Sequence, residues 1–422
     1  MISLLRQPRT RRFFIAHLQS QLGTGAAYVA LVLIAYQRLH QSWAIALVLL
    51  ADVLPGVALS APFGALADRL PRARVAVGAQ ILSAAAFLGL ALVSSFPATV
   101  ALALVAGVGT AMLRPAVGAA LPQLVAERQR SSATALYGAI CNLGMTAGPA
   151  LTALVLLFST PALVLAINGA TFLVAAALIC RLPLGGGARE AGDEGEETLW
   201  AATRAGVDAA RRTPGIATLL VIGSASVFAG AVMNVAEPIL ATGALHAGRA
   251  GYAALVGLYG CGMVAGSLLS GRAGTRVAGL RRLWLVGNAL CAVGMLGTAA
   301  APTLVVAGAT FAVTGVANAL ICSPEIRLFQ ELAPGPVLGR VFGLRDTGAN
   351  IAMLVAFVSG GLLLSELGTR AVFATGGAAL FVLTLLAVLT FRPHQDEASV
   401  DRGPRLRALA AAEVEQAVAG AH

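Results

Sequence analysis

Residues 64–74 read Gly64-Ala-Leu-Ala-Asp68-Arg69-Leu-Pro-Arg72-Ala-Arg74. Three arginines and one aspartate fill the short gap between two apolar runs, at about 43–67 and 75–96. Each run has the length, roughly 20 residues, that a helix needs to cross a bilayer. A basic hinge between two such runs is the pattern of a loop held at an anionic membrane surface. If that reading is right, the rest of the chain must alternate in the same way.

It does. The 422 residues are 58% hydrophobic and only 11% charged. A soluble domain carries about 25% charged residues, so this chain cannot keep a large surface in water. The alternating segments of a membrane barrel are absent, and a helix satisfies its own backbone in lipid, so the expected class is an all-α integral membrane protein. Apolar runs fall at about 13–36, 43–67, 75–96, 98–123, 132–158, 161–181, 216–240, 251–271, 283–301, 303–325, 343–365 and 371–391. That predicts twelve transmembrane helices. The one long gap divides the chain into a six-helix bundle over 1–181, a linker over 182–215, a second bundle over 216–391 and a tail over 392–422. The linker turns from Gly-rich to acidic, and residues Thr198 to Arg212 suit a short surface helix.

Arginine placement tests these boundaries together. All 29 basic residues are arginine. With the N-terminus inside, 25 fall in cytoplasmic segments and three, Arg38, Arg249 and Arg370, in outer loops. Positive charge is retained on the cytoplasmic side, so both termini are expected there. The net charge of +10 is then an address to anionic lipid and not to nucleic acid. Arg6, Arg9, Arg11 and Arg12 precede the first run as in a signal peptide, but the run is long and lacks a small-residue cleavage site, so it is expected to remain as the first span. The lysine-free, Ala- and Gly-rich composition suits a GC-rich bacterial genome and hence a bacterial cytoplasmic membrane. A monomer is expected. All five cysteines lie in apolar runs and are expected to serve as small hydrophobes, not disulfides.

The halves echo each other. Gly64-x-x-x-Asp68-Arg69 returns 207 residues later as Gly271-x-x-x-Thr275-Arg276, and Tyr137-Gly138 returns as Phe342-Gly343. Parallel repeats leave such a trace.

Of 19 acidic residues, two lie inside spans, Asp52 and Glu237; Glu325 and Asp346 are placed at span ends. A charge at the bilayer centre costs about 2.5–3.5 kcal/mol, so Asp52 and Glu237 each mark a proton or substrate site or a fixed contact between helices. Arg114 is the one base placed inside a span. It could bind an anion, pair with Asp52, or snorkel to the surface. Polar residues also line single helical faces: His17, Gln21, Thr24 and Tyr28 in span 1; Ser226, Gly230, Asn234 and Glu237 in span 7; Thr303, Thr310, Thr314, Asn318 and Glu325 in span 10. There is no P-loop, no metal-ligand spacing and no Ser-His-Asp set, so neither an enzyme nor a cofactor is expected.

The loop string Gly64 to Arg74 resembles the signature between the second and third helices of the major facilitator superfamily, with Pro71 where that family has glycine. The resemblance implies a twelve-helix transporter whose helices 1, 4, 7 and 10 line a central cavity, matching the polar stripes and Arg114 in span 4. It also implies a latch of Asp68, Arg69 and Arg72 against the start of helix 11. Gly144-Met-Thr-Ala-Gly148-Pro149 resembles the core of the family's antiporter motif, with Thr152 and Ala153 in place of a later glycine pair. The strings Gly107-Val-Gly109-Thr-Ala-Met-Leu-Arg114-Pro115-Ala and Leu121-Pro122-Gln-Leu-Val125 resemble the bacterial efflux subfamily that includes enterobactin and macrolide exporters. The implied function is proton-coupled export of a small amphiphilic compound. An importer of the same fold is the alternative; a receptor or lipid scramblase would not need an acid in mid-membrane.

Overall fold

The computed structural model describes residues 4, 6–59, 63, 66, 70–126, 129–182, 214–271, 277–333 and 338–390. Each predicted apolar run holds an α-helix. The helices are α1 (Pro8–Leu39), α2 (Ser42–Ala58), α3 (Arg72–Leu92), α4 (Phe96–Ala120), α5 (Arg130–Leu156) and α6 (Pro161–Ile179). They continue as α7 (Pro214–Ile239), α8 (Gly248–Gly271), α9 (Val277–Ala300), α10 (Leu304–Leu332), α11 (Leu338–Leu367) and α12 (Thr369–Thr390). Among the described residues ten helices are long and apolar enough to cross a membrane, and the apolar stretches Ser42–Ala58 in α2 and Ala147–Leu156 in α5 are shorter. Gly64, Asp68, Arg69, the linker helix and the tail lie outside the described residues. Arg72 opens α3 and Pro71 is its N-cap, with the Pro71 carbonyl accepting from the amides of Arg74 and Val75. Proline thus starts the helix at the position where glycine would have formed a turn.

Several boundaries move: α1 starts at Pro8 instead of 13 and α9 at Val277 instead of 283. Helix α10 runs to Leu332, past its expected end at 325, and α11 starts at Leu338 instead of 343. Hydropathy falls where Arg327 and Glu331 enter, but helical hydrogen bonds do not depend on hydropathy. The helix continues with those charges exposed and with Leu328 and Phe329 buried.

Helices pack most extensively within the first six (α1 with α5 and α6, α3 with α4 and α6, α2 with α4) and within the last six (α8 with α10, α9 with α10 and α12, α7 with α11). Equivalent crossings recur at the repeat offset. Gly107 of α4 lies so close to the backbone of Asp52 in α2 that any side chain would overlap it. Gly315 of α10 stands in the same relation to Tyr259 in α8. These pairs are 207 and 208 residues apart, so packing confirms the repeat seen in the loops.

The two halves meet through α2 against α11 and α5 against α8. The Ser42 hydroxyl donates to the Gly361 carbonyl at 2.9 Å across that seam. One apolar core spans both halves at the arginine-poor end, from Ala26–Ala35 and Ile45–Ala51 to Ala229–Ala241 and Tyr252–Val256. At the arginine-rich end the core divides in two. Phe13, Phe14, Val117 and Ile140 belong to one part, and Ile216, Trp284, Leu328 and Val341 to the other. Because apolar burial holds helices together roughly in proportion to area, the halves are joined at one end and separate at the other. Among the described residues this is the arrangement of a cleft that opens toward the arginine-rich loops. At the closed end Arg38 donates to the Val93 and Ser95 carbonyls and to the Thr99 hydroxyl, and Arg370 donates to the Ala299 carbonyl at 3.2 Å.

Candidate functional site

The predicted polar residues gather in two clusters. The first lies near the closed end of the cleft. Tyr28 of α1 has Asn234 of α7 as a hydrogen-bond partner and is within electrostatic range of both Asp52 and Glu237. Glu237 is only 8% exposed, while Asp52 is half-buried. Neither carboxylate has an ion-pair or hydrogen-bond partner among the described residues. Tyr252 and Tyr259 of α8 complete the surroundings, both within range of Glu237 and Tyr28. Sequence reading missed these two tyrosines. The signal was available, since Tyr259 stands 207 residues after Asp52, at the equivalent place in the second half.

The second cluster lies toward the open end. His17 stacks on Tyr137 of α5 with ring centroids 4.4 Å apart, and its Nε2 is 3.5 Å from the Cys141 sulfur. Gln21 donates to that sulfur at 3.1 Å. His17 is thus buried in the α1–α5 contact and does not line open space. Arg114 is exposed and within electrostatic range of Tyr137. It does not pair with Asp52: Gly107 is level with Asp52, and Arg114 stands two turns, about 10 Å, farther along α4. Eleven residues of α1, about 16 Å of helix, separate His17 from Tyr28.

Several predicted cavity residues face elsewhere. The Ser226 hydroxyl donates to Asn288 of α9 at 2.6 Å. Thr310 and Thr298 of α9 share a hydrogen bond of 2.7 Å, and Thr314 is buried against Gly294 of α9. Thr24 donates to its own helix at the Ser20 carbonyl, and Asn318 accepts from Cys322 one turn away. Short hydroxyl side chains commonly return to the backbone in this way. Glu325 is not at a span end but inside α10, where Arg345 of α11 holds it at 2.8 Å and the Trp284 indole donates to it at 3.4 Å. Arg345, and not only Arg114, is therefore a base inside a helix of the bundle. The sulfur atoms remain free thiols among the described residues.

Gly144, Gly148 and Pro149 form the α1–α5 crossing. A Cβ on Gly148 would lie 2.6 Å from the Ala26 nitrogen, and one on Gly144 2.6 Å from the Gln21 carbonyl oxygen. Thr152, where the resembled motif has glycine, donates to the Ala26 carbonyl at 2.7 Å and so ties the same helices. Prolines inside helices mark this region: Pro55, Pro115, Pro149, Pro238 and Pro324 stand within three residues of Asp52, Arg114, Gly148, Glu237 and Glu325. Proline has no amide hydrogen, so each removes one helical hydrogen bond, the usual cause of a kink. After Pro238 the chain takes a π-helical turn over Leu240–Ala244.

A helical membrane bundle with internal repeats, a cleft open at one end and unpaired acids at the other defines a transporter of the major facilitator superfamily. Comparison with known proteins agrees. The chain belongs to the transmembrane secretion effector family, whose profile matches residues 1–418. The uncharacterized MFS-type transporter YfiS of Bacillus subtilis (strain 168) is 25% identical over 383 residues, covering 88% of this chain and 90% of that one. Macrolide efflux protein A of Streptococcus pyogenes is 22% identical over 369 residues, covering 85% and 90%. Among solved structures, a mutant form of the nucleoside transporter NupG superposes with a TM-score of 0.73 at 13% identity, covering 90% of this chain and 99% of that one. An inward-facing, unoccupied bacterial homolog of the human lysosomal transporter Spinster gives 0.63 at 15% identity, covering 91% and 96%. Likeness at these identities shows the fold alone. The family is one of transporters and not of enzymes.

Proposed function

We propose that this chain is a proton-coupled exporter of a small amphiphilic compound, working by alternating access in the cytoplasmic membrane of a bacterium. It spans the membrane twelve times as two six-helix bundles, 1–181 and 216–391. The 182–215 linker, both termini and the 392–422 tail are cytoplasmic. The cleft then faces the cytoplasm, the side from which an exporter loads. The observation that carries the reading is the convergence of Asp52 and Glu237, one from each half, on Tyr28 at the closed end of the cleft. A buried and a half-buried carboxylate with no fixed partner among the described residues can exchange protons for substrate, whereas an ion pair could not do so without breaking.

Asp52 and Glu237 carry the coupling, and Tyr28 and Asn234 link the two halves between them. Arg114, exposed at the open end, sets charge preference. Asp68, Arg69 and Arg72 latch against the start of α11, and the Gly144–Gly148–Pro149 crossing lets α5 pivot on α1. The macrolide efflux proteins among the relatives favour export of an amphiphile over import.

The test is transport in proteoliposomes with an imposed pH gradient. Asp52→Asn keeps size and removes the proton site, so uphill transport should cease while substrate binding persists. Glu237→Gln should show a smaller loss. If Asp52→Asn still concentrates substrate against its gradient, Asp52 is not the coupling site. Accumulation of substrate on the cytoplasmic side instead of depletion would identify an importer.

A further inference from the structure

The two ends of the cleft leave one cavity unexplained. It has a volume of about 160 Å³ and lies in the second half, walled by Phe228, Val232 and Met233 of α7, Met295 of α9, and Phe373 and Thr375 of α12. Leu363 of α11 closes one side, and the Thr375 hydroxyl is the one polar side chain in the lining. A cavity of this size with such walls stays dry and accepts a benzene-sized apolar group. It is distinct from the acid site. The α7 residues that face it (228, 229, 232, 233 and 236) and the polar stripe of α7 (226, 230, 234 and 237) are centred about 120° apart at 100° per residue.

The cavity opens sideways. Thr375 and Ala379 at its rim are exposed. Beside them run the exposed apolar stripes of both neighbouring helices: Val355, Val358 and Leu362 on α11, and Val382 and Leu386 on α12. In a membrane-spanning bundle these stripes contact lipid, so the mouth is continuous with the lipid-facing surface. The corresponding place in the first half is packed differently among the described residues. There α6 packs closely on α1, with Gly23 against Asn168 and Thr171 and with Gln19 donating to the Thr171 carbonyl at 2.8 Å. Asn168 corresponds at the repeat offset to Thr375, which is exposed. The cavity also lies near the closed end, since Leu363 and Met295 stand within five residues, about 8 Å, of the ends of α11 and α9. That depth is the mid-chain region of one leaflet.

We propose that this crevice between α7 and α12 binds a mid-chain segment of one acyl chain of a membrane phospholipid from the leaflet at the arginine-poor end. The chain completes the packing beside α7, about a third of a turn around that helix from the stripe of Asn234 and Glu237. The occupant is aliphatic because the walls offer no charge and a single hydroxyl, and because the route in is through lipid.

The test uses the full chain in nanodiscs containing phosphatidylethanolamine with a diazirine at mid-chain. After irradiation, adducts are mapped by mass spectrometry. Adducts are expected on the buried walls Val232, Met233 and Phe373 as well as on lipid-facing Leu362 and Val382. Gly376→Leu directs a side chain into the crevice, where a Cβ would lie 2.9 Å from the flexible end of Met295. Because a filled cavity has no room for a second occupant, wall adducts should fall about tenfold while Leu362 and Val382 adducts stay unchanged. Ala379→Phe, which obstructs the mouth from outside, serves if Gly376→Leu does not fold. Adducts confined to Leu362 and Val382 in the unmodified protein would overturn the proposal. So would wall adducts that persist in both variants. If a photoreactive macrolide added from water labels the walls and displaces the lipid adducts, the crevice is a substrate site and the lipid assignment fails.

Discussion

Removing Glu325 should destabilise the second half by about 2–3 kcal/mol, with most of the loss arising from its partner. Arg345 meets Glu325 at 2.8 Å, and the side chains are 27% and 7% exposed. Breaking a buried ion pair by removing one member typically costs about 3–5 kcal/mol, because the other charge stays buried and unpaired. The figure is reduced here because Arg345 is partly in solvent and keeps a second partner, Asp346, at 2.9 Å. Arg345→Met leaves Glu325 with the Trp284 indole at 3.4 Å, so it should cost a similar amount. The double variant, Glu325→Ala with Arg345→Met, strands no charge. It should be less damaged than the two single losses combined by about 1–2 kcal/mol, within the usual range for residues in direct contact. The assay is reversible unfolding of the purified full chain in mixed detergent micelles, followed by far-UV circular dichroism. If the single losses add within about 0.5 kcal/mol, the pair does not join α10 to α11 and the account of this contact is wrong.

Two further outcomes follow from packing. Gly148→Val places methyl groups against the α1 backbone, where even a Cβ would be 2.6 Å from the Ala26 nitrogen. It should lower stability by about 1–3 kcal/mol, seen as a drop in melting temperature, whereas Gly230→Ala, with open space around its Cβ, should be near neutral. Unchanged melting of Gly148→Val would mean that α1 and α5 do not cross there. A disulfide should form between Ala46→Cys and Gly361→Cys, since a Cβ on Gly361 would lie 3.2 Å from that of Ala46 and the usual separation is about 3.5–4.5 Å. Oxidation should stop transport and a reductant should restore it; transport unaffected by a complete cross-link would show that the seam between α2 and α11 need not open.

Class, helix positions and the repeat were legible in the chain because they rest on local or additive quantities. A run of apolar residues is helical in lipid whatever it packs against, and arginine placement follows from the membrane field acting on each loop. Where hydropathy weakens gradually, as after Glu325, the boundary was misplaced. A helix end is set by hydrogen bonding and caps, and composition only approximates these.

The sequence by itself also identified Glu237, Tyr28 and Asn234 as polar residues on helices expected to line a cavity, and Asp52 as an acid inside a span. Only the tertiary structure decided which of the stripes stayed together. Periodicity says that residues share a helical face, but not which neighbour that face meets. Ser226, Thr310 and Thr314 therefore turned out to face α9, and His17 to lie between α1 and α5. The same limit hid the Glu325–Arg345 pair, the tyrosines of α8 and the crevice beside α12. Each depends on a distance between helices far apart in sequence, and that distance is fixed by how whole helical surfaces fit together.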